Sequence, residues 1–221
     1  MRTTMMAKTG LIFALLMLSA CNQSSTTSTP AGQQTSASEP APGSKNEAIS
    51  AAKDGVAGAV GTVSAELTSS TKGFVQSAAM GDMYEIEASK IALQRARADD
   101  VKMFAQMMID VHMQTSDNLK AALMRTSTGI ALPASLDSRH QGLIDDLKGA
   151  KSDDFDTRYI AQQQNAHNEA LILMRGYAKD GDNPEIKMFA EMTMPKVQMH
   201  IDMLKSLDDA HKARQRRAEN R

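Results

Sequence analysis

The sequence has no tryptophan, a single cysteine and only 4% aromatic residues. One cysteine cannot close a disulfide within the chain, and it excludes a cysteine-rich zinc module. Basic and acidic side chains number 25 and 26, a formal charge of -1. That balance leaves no basic surplus to hold a phosphate backbone, so nucleic acid is not expected as a partner. Nothing resembles a Ser/His/Asp triad, a P-loop or a glycine-rich nucleotide site. At 221 residues the chain has room for one ordinary domain with appendages, not two large domains.

What is present begins with an address. Arg2 and Lys8 precede the apolar run LIFALLML at 11–18, which is too short to span a bilayer as a stable helix but suits a signal-peptide core. Leu18, Ser19, Ala20 and Cys21 follow. This arrangement resembles the lipobox of bacterial lipoproteins. The resemblance implies cleavage before Cys21 and acylation of its sulfur and its new amino group. Each buried methylene contributes roughly 0.8 kcal/mol, so several acyl chains anchor stably where one would release. Asn22, not Asp, follows the cysteine. By resemblance to lipoprotein sorting rules this implies the outer membrane, with the chain facing the periplasm. The plainer alternative is an ordinary signal peptide with a leftover thiol. The first expected units are therefore a signal peptide at 1–20 and a lipidated tether at 21–71. Residues 22–46 contain no Val, Ile, Leu, Met or aromatic residue. Such a segment cannot offset its chain entropy by burial, so disorder is expected. A weak helix at 47–53 is expected to stop at Gly55, Gly58 and Gly61. A tether of about fifty residues reaches roughly 40 Å.

From Lys72 the pattern changes to helical periodicity. Long helices are expected at 73–97, 100–126, 154–179 and 183–213. Their inward stripes include Val75, Ala78, Ala79, Ile86 and Leu93 in the first, and Phe104, Met108, Leu119 and Ala122 in the second. Ile160, Leu171 and Met174 serve the third, and Phe189, Val197, Leu204 and Leu207 the fourth. Asp99 and Asp100 offer N-cap chemistry, and Asn183 before Pro184 is a helix start. A long connection after the second helix holds Pro133 and a short helix near 136–147. The fold class is thus all-α, a ferritin-like four-helix bundle with a long crossover, over 72–213. A basic tail at 214–221 follows. Val101 to Met107 reads VKMFAQM and Ile186 to Met192 reads IKMFAEM, each after a tight turn. Two related hairpins joined by a crossover fit that architecture.

Four ionisable residues fall on the apolar stripes: Glu85, His112, His167 and His200, one on each long helix. At ~1.5 Å per residue, Glu85 and His112 stand roughly 18–21 Å from the first turn. His167 and His200 stand roughly 24–26 Å from the second, on helices ~39 Å long. All four then meet near the bundle middle, whichever ends the turns occupy. Three imidazoles and a carboxylate at one level suit a single divalent transition metal such as zinc or iron. The alternative is a satisfied polar core in which the histidines bond to Glu85, Tyr84, Tyr159 or buried water. A diiron oxidase site is not expected, because no Glu has a His three residues later. Asp137 and His140 have that spacing but lie in the connection. Met108 and Met113 flank His112, and Met199 and Met203 flank His200, a thioether and imidazole set that suits Cu(I). Copper ranks behind the simpler use of Met as a core filler. Lys212, Arg214, Arg216, Arg217 and Arg221 offer contact with anionic headgroups, or only a solvated helix end.

The domain resembles a bacterial envelope family, domain of unknown function 4142, often labelled a predicted outer-membrane protein. The carrying residues are Phe74, Val75, Ala78 and Ala79; Glu85, Ile86 and Glu87; and Val101, Lys102, Phe104, Ala105, Gln106 and Met108. Leu132 and Pro133, Leu136, Asp137 and His140, Phe155, Asp156 and Tyr159, His167, and Pro195 before His200 continue the match. It implies a ferritin-like fold and no defined activity. The family typically shows Asp-His where this chain has Val111 and His112, with Asp110 shifted by one residue. That departure counts against a metal. Pro195 is expected to kink the last helix or to open a bulge that re-aims His200.

Overall fold

The computed structural model describes residues 70–221. Cys21, the segment 1–20, the helix expected at 47–53 and nearly all of the tether lie outside the described residues. Five helices follow in order: α1 Thr71–Arg95, α2 Asp99–Met124, α3 Ser138–Gly149, α4 Phe155–Asp180 and α5 Pro184–Glu219. Among the described residues there is no strand, and no helix is long and apolar enough to cross a membrane.

The four long helices form a bundle in which α1 packs on α2 and α4, and α5 packs on α4 and α2. At one end Arg125, just past α2, pairs with Glu185 at the start of α5, and Phe74 of α1 stacks on Tyr177 of α4 at 4.2 Å. At the other end Arg97 and Ala98, in the α1–α2 turn, donate backbone N–H to Asp156 of α4. The two short turns therefore sit at opposite ends. Helices α2 and α4 run parallel, and the crossover traverses the bundle's length. Its early residues Ile130 and Leu132 pack on the apolar cluster at one end, and Leu136 and Leu143 on the cluster at the other. This is the short–long–short connectivity of a ferritin-like bundle.

Local chemistry sets the helix ends. Ser70 caps α1 by accepting from Gly73 N–H, and Asn183 caps α5 by accepting from Glu185 and Ile186 N–H. Helix α2 differs from expectation. Its N-cap is Ala98, which has no capping side chain, and Asp156 reaches across from α4 with both oxygens at 3.0 Å. Asp99 and Asp100 lie in the first turn, where negative charge is favourable. Arg95 donates to the carbonyls of Leu147, Lys148 and Ala150, which terminates α3, and its guanidinium lies over the Phe155 ring. Orphan carbonyls at that helix end are thereby satisfied.

Helix α5 runs unbroken through Pro195 to Glu219, so the basic tail expected at 214–221 is mostly helix. Arg214 holds Asp100 of α2 with two hydrogen bonds, and Gln215 donates to Thr157 of α4. On α1 the expected Val75, Ala78 and Ala79 are buried, together with Tyr84, Ala88 and Ala92, while Ile86 and Leu93 are only partly buried. The expected inward residues of α2, α4 and α5 are all buried.

The core is not continuous. One apolar cluster gathers Tyr84, Ala88, Phe104, Met108, Tyr159, Ile160 and Leu204, and the other Phe74, Ala79, Leu119, Leu171, Val197 and Ala190. Between them lies a polar layer. Burying a large apolar side chain contributes roughly 1.5–3 kcal/mol, so a bundle that interrupts this burial at mid-height forgoes stability there.

Candidate metal centre

The polar layer contains the four residues singled out by periodicity. Glu85 comes from α1, His112 from α2, His167 from α4 and His200 from α5. His167 and His200 are each 1% exposed, and the His112 side chain is 12% exposed. Each of the three histidines offers a ring nitrogen, and these nitrogens all lie within 4.8 Å of one another. Ring centroids are 5.2 Å apart for His167 and His200, 5.7 Å for His112 and His167, and 5.9 Å for His112 and His200.

Hydrogen bonds fix which nitrogens face inward. His112 Nδ1 lies 2.8 Å from Asp82 Oδ1, and an ionised carboxylate only accepts, so Nδ1 carries the proton. The His112 Nε2 lone pair then points into the layer, and Nε2 has no hydrogen-bond partner. His167 Nδ1–H donates to the Gln163 carbonyl at 2.9 Å, which leaves its Nε2 as an acceptor. That Nε2 lies 3.2 Å from His200 Nδ1, so in the ion-free layer His200 donates there and keeps the lone pair on Nε2; a cation bound at His167 Nε2 would replace that hydrogen bond. His200 Nε2 is also unpartnered. Glu85 places Oε1 3.4 Å from His167 Nδ1 and Oε2 3.9 Å from His112 Nε2, and Oε2 makes no hydrogen bond. An orphaned buried polar group costs roughly 1–3 kcal/mol, which a cation in this layer would remove for both imidazoles.

Charge states follow the surroundings. Burial pushes the Glu85 carboxyl up to about 7; His112 and the Gln163 amide pull down, and Asp82 pushes up. His167 falls well below the usual imidazole value through burial and the neighbouring His112 and His200. His200 falls to about 4 through burial, His112 and Lys196. Burial also works to lower His112, but the Asp82 hydrogen bond and the Glu85 and Asp82 charges outweigh it, so it is raised.

Asp82 and Gln163 belong to this layer and were not singled out by sequence reasoning. Asp82 stands three residues before Glu85, on the same inward face, and Gln163 stands four before His167. Those spacings were the available signal. Asp82 also accepts from Ser116 Oγ at 3.1 Å. Asp110, the carboxylate nearest His112 in sequence, is instead exposed and accepts from Gln106. The tyrosines considered as imidazole partners are engaged elsewhere. Tyr84 donates to Gln162, and Tyr159 pairs with Ser89. His140 sits in the cap of α3 with Asp137, away from the three core imidazoles. Met108 is buried in an apolar cluster, while Met113, Met199 and Met203 are exposed.

The buried carboxylates of the layer, Asp82 and Glu85, both come from α1, and Asp82 is committed to His112 and Ser116. This donor set fits one ion held mainly by imidazole, a set that suits zinc, iron, copper or nickel. A family model described as a domain of unknown function (DUF4142) matches residues 58–207, more than half of the chain. No curated protein and no solved structure matches it.

Proposed function

The chain belongs to that DUF4142 family, and on that premise we propose that its bundle binds a single divalent transition metal, zinc or iron before copper, through His112, His167 and His200. Glu85 is the nearby carboxylate. The observation that carries this reading is the convergence of three imidazole nitrogens from three helices within 4.8 Å, two of the rings keeping an unpartnered Nε2. A binding role in sensing, buffering or protection against metal stress follows from one ion in a protected layer. Elemental analysis of untagged protein tests it against the His112→Ala/His167→Ala double variant. Stoichiometric metal in the first and none in the second supports it. Absence of metal and of titratable affinity in both discards it.

The proposal extends to location. The run at 11–18 and the sequence Leu18, Ser19, Ala20, Cys21 support an envelope lipoprotein held in the outer membrane by acyl chains on Cys21. A Cys21→Ser variant that leaves the membrane fraction supports it, and one that stays there removes it. A second reading draws on the His167 Nε2···His200 Nδ1 contact, which satisfies two ring nitrogens without an ion. In that reading the layer fixes the register of a structural or partner-binding lipoprotein. Substitutions in the layer would then alter stability and leave crosslinked partners unchanged.

A further inference from the structure

Gln163 is fully buried on α4, one turn before His167. Neither Oε1 nor Nε2 of its carboxamide has a hydrogen-bond partner in the protein. The other orphaned buried atoms of the layer are Glu85 Oε2, His112 Nε2 and His200 Nε2. An ion satisfies the two imidazole nitrogens, which offer lone pairs. It cannot satisfy an amide N–H, which is a donor and needs an acceptor. The Gln163 amide is within hydrogen-bonding reach of Glu85 and favours its charged form, but the pair does not have the geometry of a formed hydrogen bond. The layer therefore holds a donor, Nε2 of Gln163, and two acceptors, Oε1 of Gln163 and Oε2 of Glu85, all unpaired beside three convergent imidazoles. A molecule able to accept from the amide, donate to the carboxylate and still offer a lone pair to a cation would complete the set. Water has that capacity.

We infer that an ion held by His112, His167 and His200 keeps one exchangeable oxygen ligand, a water molecule, positioned by the Gln163 carboxamide and the free oxygen of Glu85. The inference rests on the metal reading above. Three protein ligands and one open position is the ligand count of a reactive zinc-type site, whereas structural sites close all four positions with protein. The His112 side chain keeps 12% of its surface exposed. The ligand class such a site takes is a small anion or neutral oxygen donor that competes with water for the ion.

The test uses the full chain without a histidine tag, loaded with Co(II) and titrated with sodium azide while the visible d–d bands are recorded. Azide is expected to shift the bands saturably. Gln163→Met keeps the side chain's length and removes the amide donor. Because an N–H donates more strongly to an anion than to neutral water, this variant is expected to weaken azide binding about three- to tenfold. Its cobalt affinity should stay within about threefold of the parent's. The parent titration needs no variant, so a poorly folded Gln163→Met does not remove the test. Cobalt bands indifferent to azide in the parent overturn the inference and leave the metal reading standing. Azide sensitivity that appears only in Glu85→Ala also overturns it, with Glu85 as the fourth ligand. Equal azide affinity in parent and Gln163→Met removes Gln163 from its role. Failure to bind cobalt at all overturns both this inference and the metal reading.

Discussion

Asp82 of α1 accepts a hydrogen bond from His112 Nδ1 of α2 at 2.8 Å, across the seam between the two helices. The bond selects the tautomer that turns the His112 Nε2 lone pair toward His167 and His200. Where an imidazole holds a metal, a carboxylate on its other nitrogen fixes its orientation and raises its basicity. In this chain the carboxylate arrives from the neighbouring helix, where the residue before the histidine is Val111.

The first prediction concerns that pair. Asp82→Asn should lower metal affinity about 10- to 100-fold while leaving the three imidazoles in place. Competition against a chromophoric chelator measures it. An unchanged affinity would mean that Asp82 serves only Ser116 and the α1–α2 seam.

Metal affinity should also depend on pH with a defined sign. Glu85 titrates at about 7, and His112 is raised above the ordinary imidazole value. Both hold protons in mildly acidic solution, and a protonated imidazole has no lone pair for a metal. His200, at about 4, and the strongly lowered His167 stay neutral through that range. Affinity should therefore rise as pH climbs through about 7 and flatten above it, with up to tenfold per unit for each proton released. Titrations from pH 5.5 to 8.5 would show the slope, and a flat profile would contradict it.

Glu85→Gln should separate stability from binding. The native carboxyl is raised from 4.5 to about 7, so its contribution favours folding at low pH and is lost as pH rises through 7. Above that range the native state carries a buried charge that Gln would not. At pH 8 the metal-free variant should be more stable than the parent, by on the order of 2–3 kcal/mol, and the difference should vanish below pH 4.5. Denaturant midpoints at the two pH values check this. A loss of stability at pH 8 would show that the charge is compensated by His112.

Metal should stabilise the fold. At a free concentration a hundred times its Kd, a ligand specific to the native state adds about 2.7 kcal/mol, which for a domain near this size raises Tm by roughly 5–10 °C. His167→Ala should abolish that rise. Thermal melts with and without zinc measure it.

Asp156→Ala removes the two hydrogen bonds that α4 accepts from the Arg97 and Ala98 backbone just before α2. A loss of about 0.5–2 kcal/mol is expected, with metal affinity retained because Asp156 lies at the bundle end, far from the polar layer. A large change in affinity would instead mean that the bundle end and the centre move together.

Much of this layer was legible because helix geometry is local. Glu85, His112, His167 and His200 each fall on an apolar stripe, and counting from the turns places them at one height. The methionines show where sequence adjacency misleads. Met113 and Met199 are each one residue from a core histidine, a step of about 100° around the helix, and both project into solvent. Asp82 and Gln163 were written on the same inward faces as Glu85 and His167, but a polar residue on a stripe does not name its partner. That depends on which helix stands opposite and at what rotation. The start of α2 carries the same lesson. Two aspartates sit in its first turn, and the carboxylate that holds the Arg97 and Ala98 backbone just before it comes from α4.

By itself the sequence determined four amphipathic rods, a long connection after the second, and one ionisable group per rod at matching depth. Those features depend on residue spacing along a single helix. Only the tertiary structure decided that the two turns lie at opposite ends, that Asp82 serves His112, and that the Gln163 amide is buried without a partner. Those depend on how the rods are paired and turned against one another, and that is settled by packing the whole core at once.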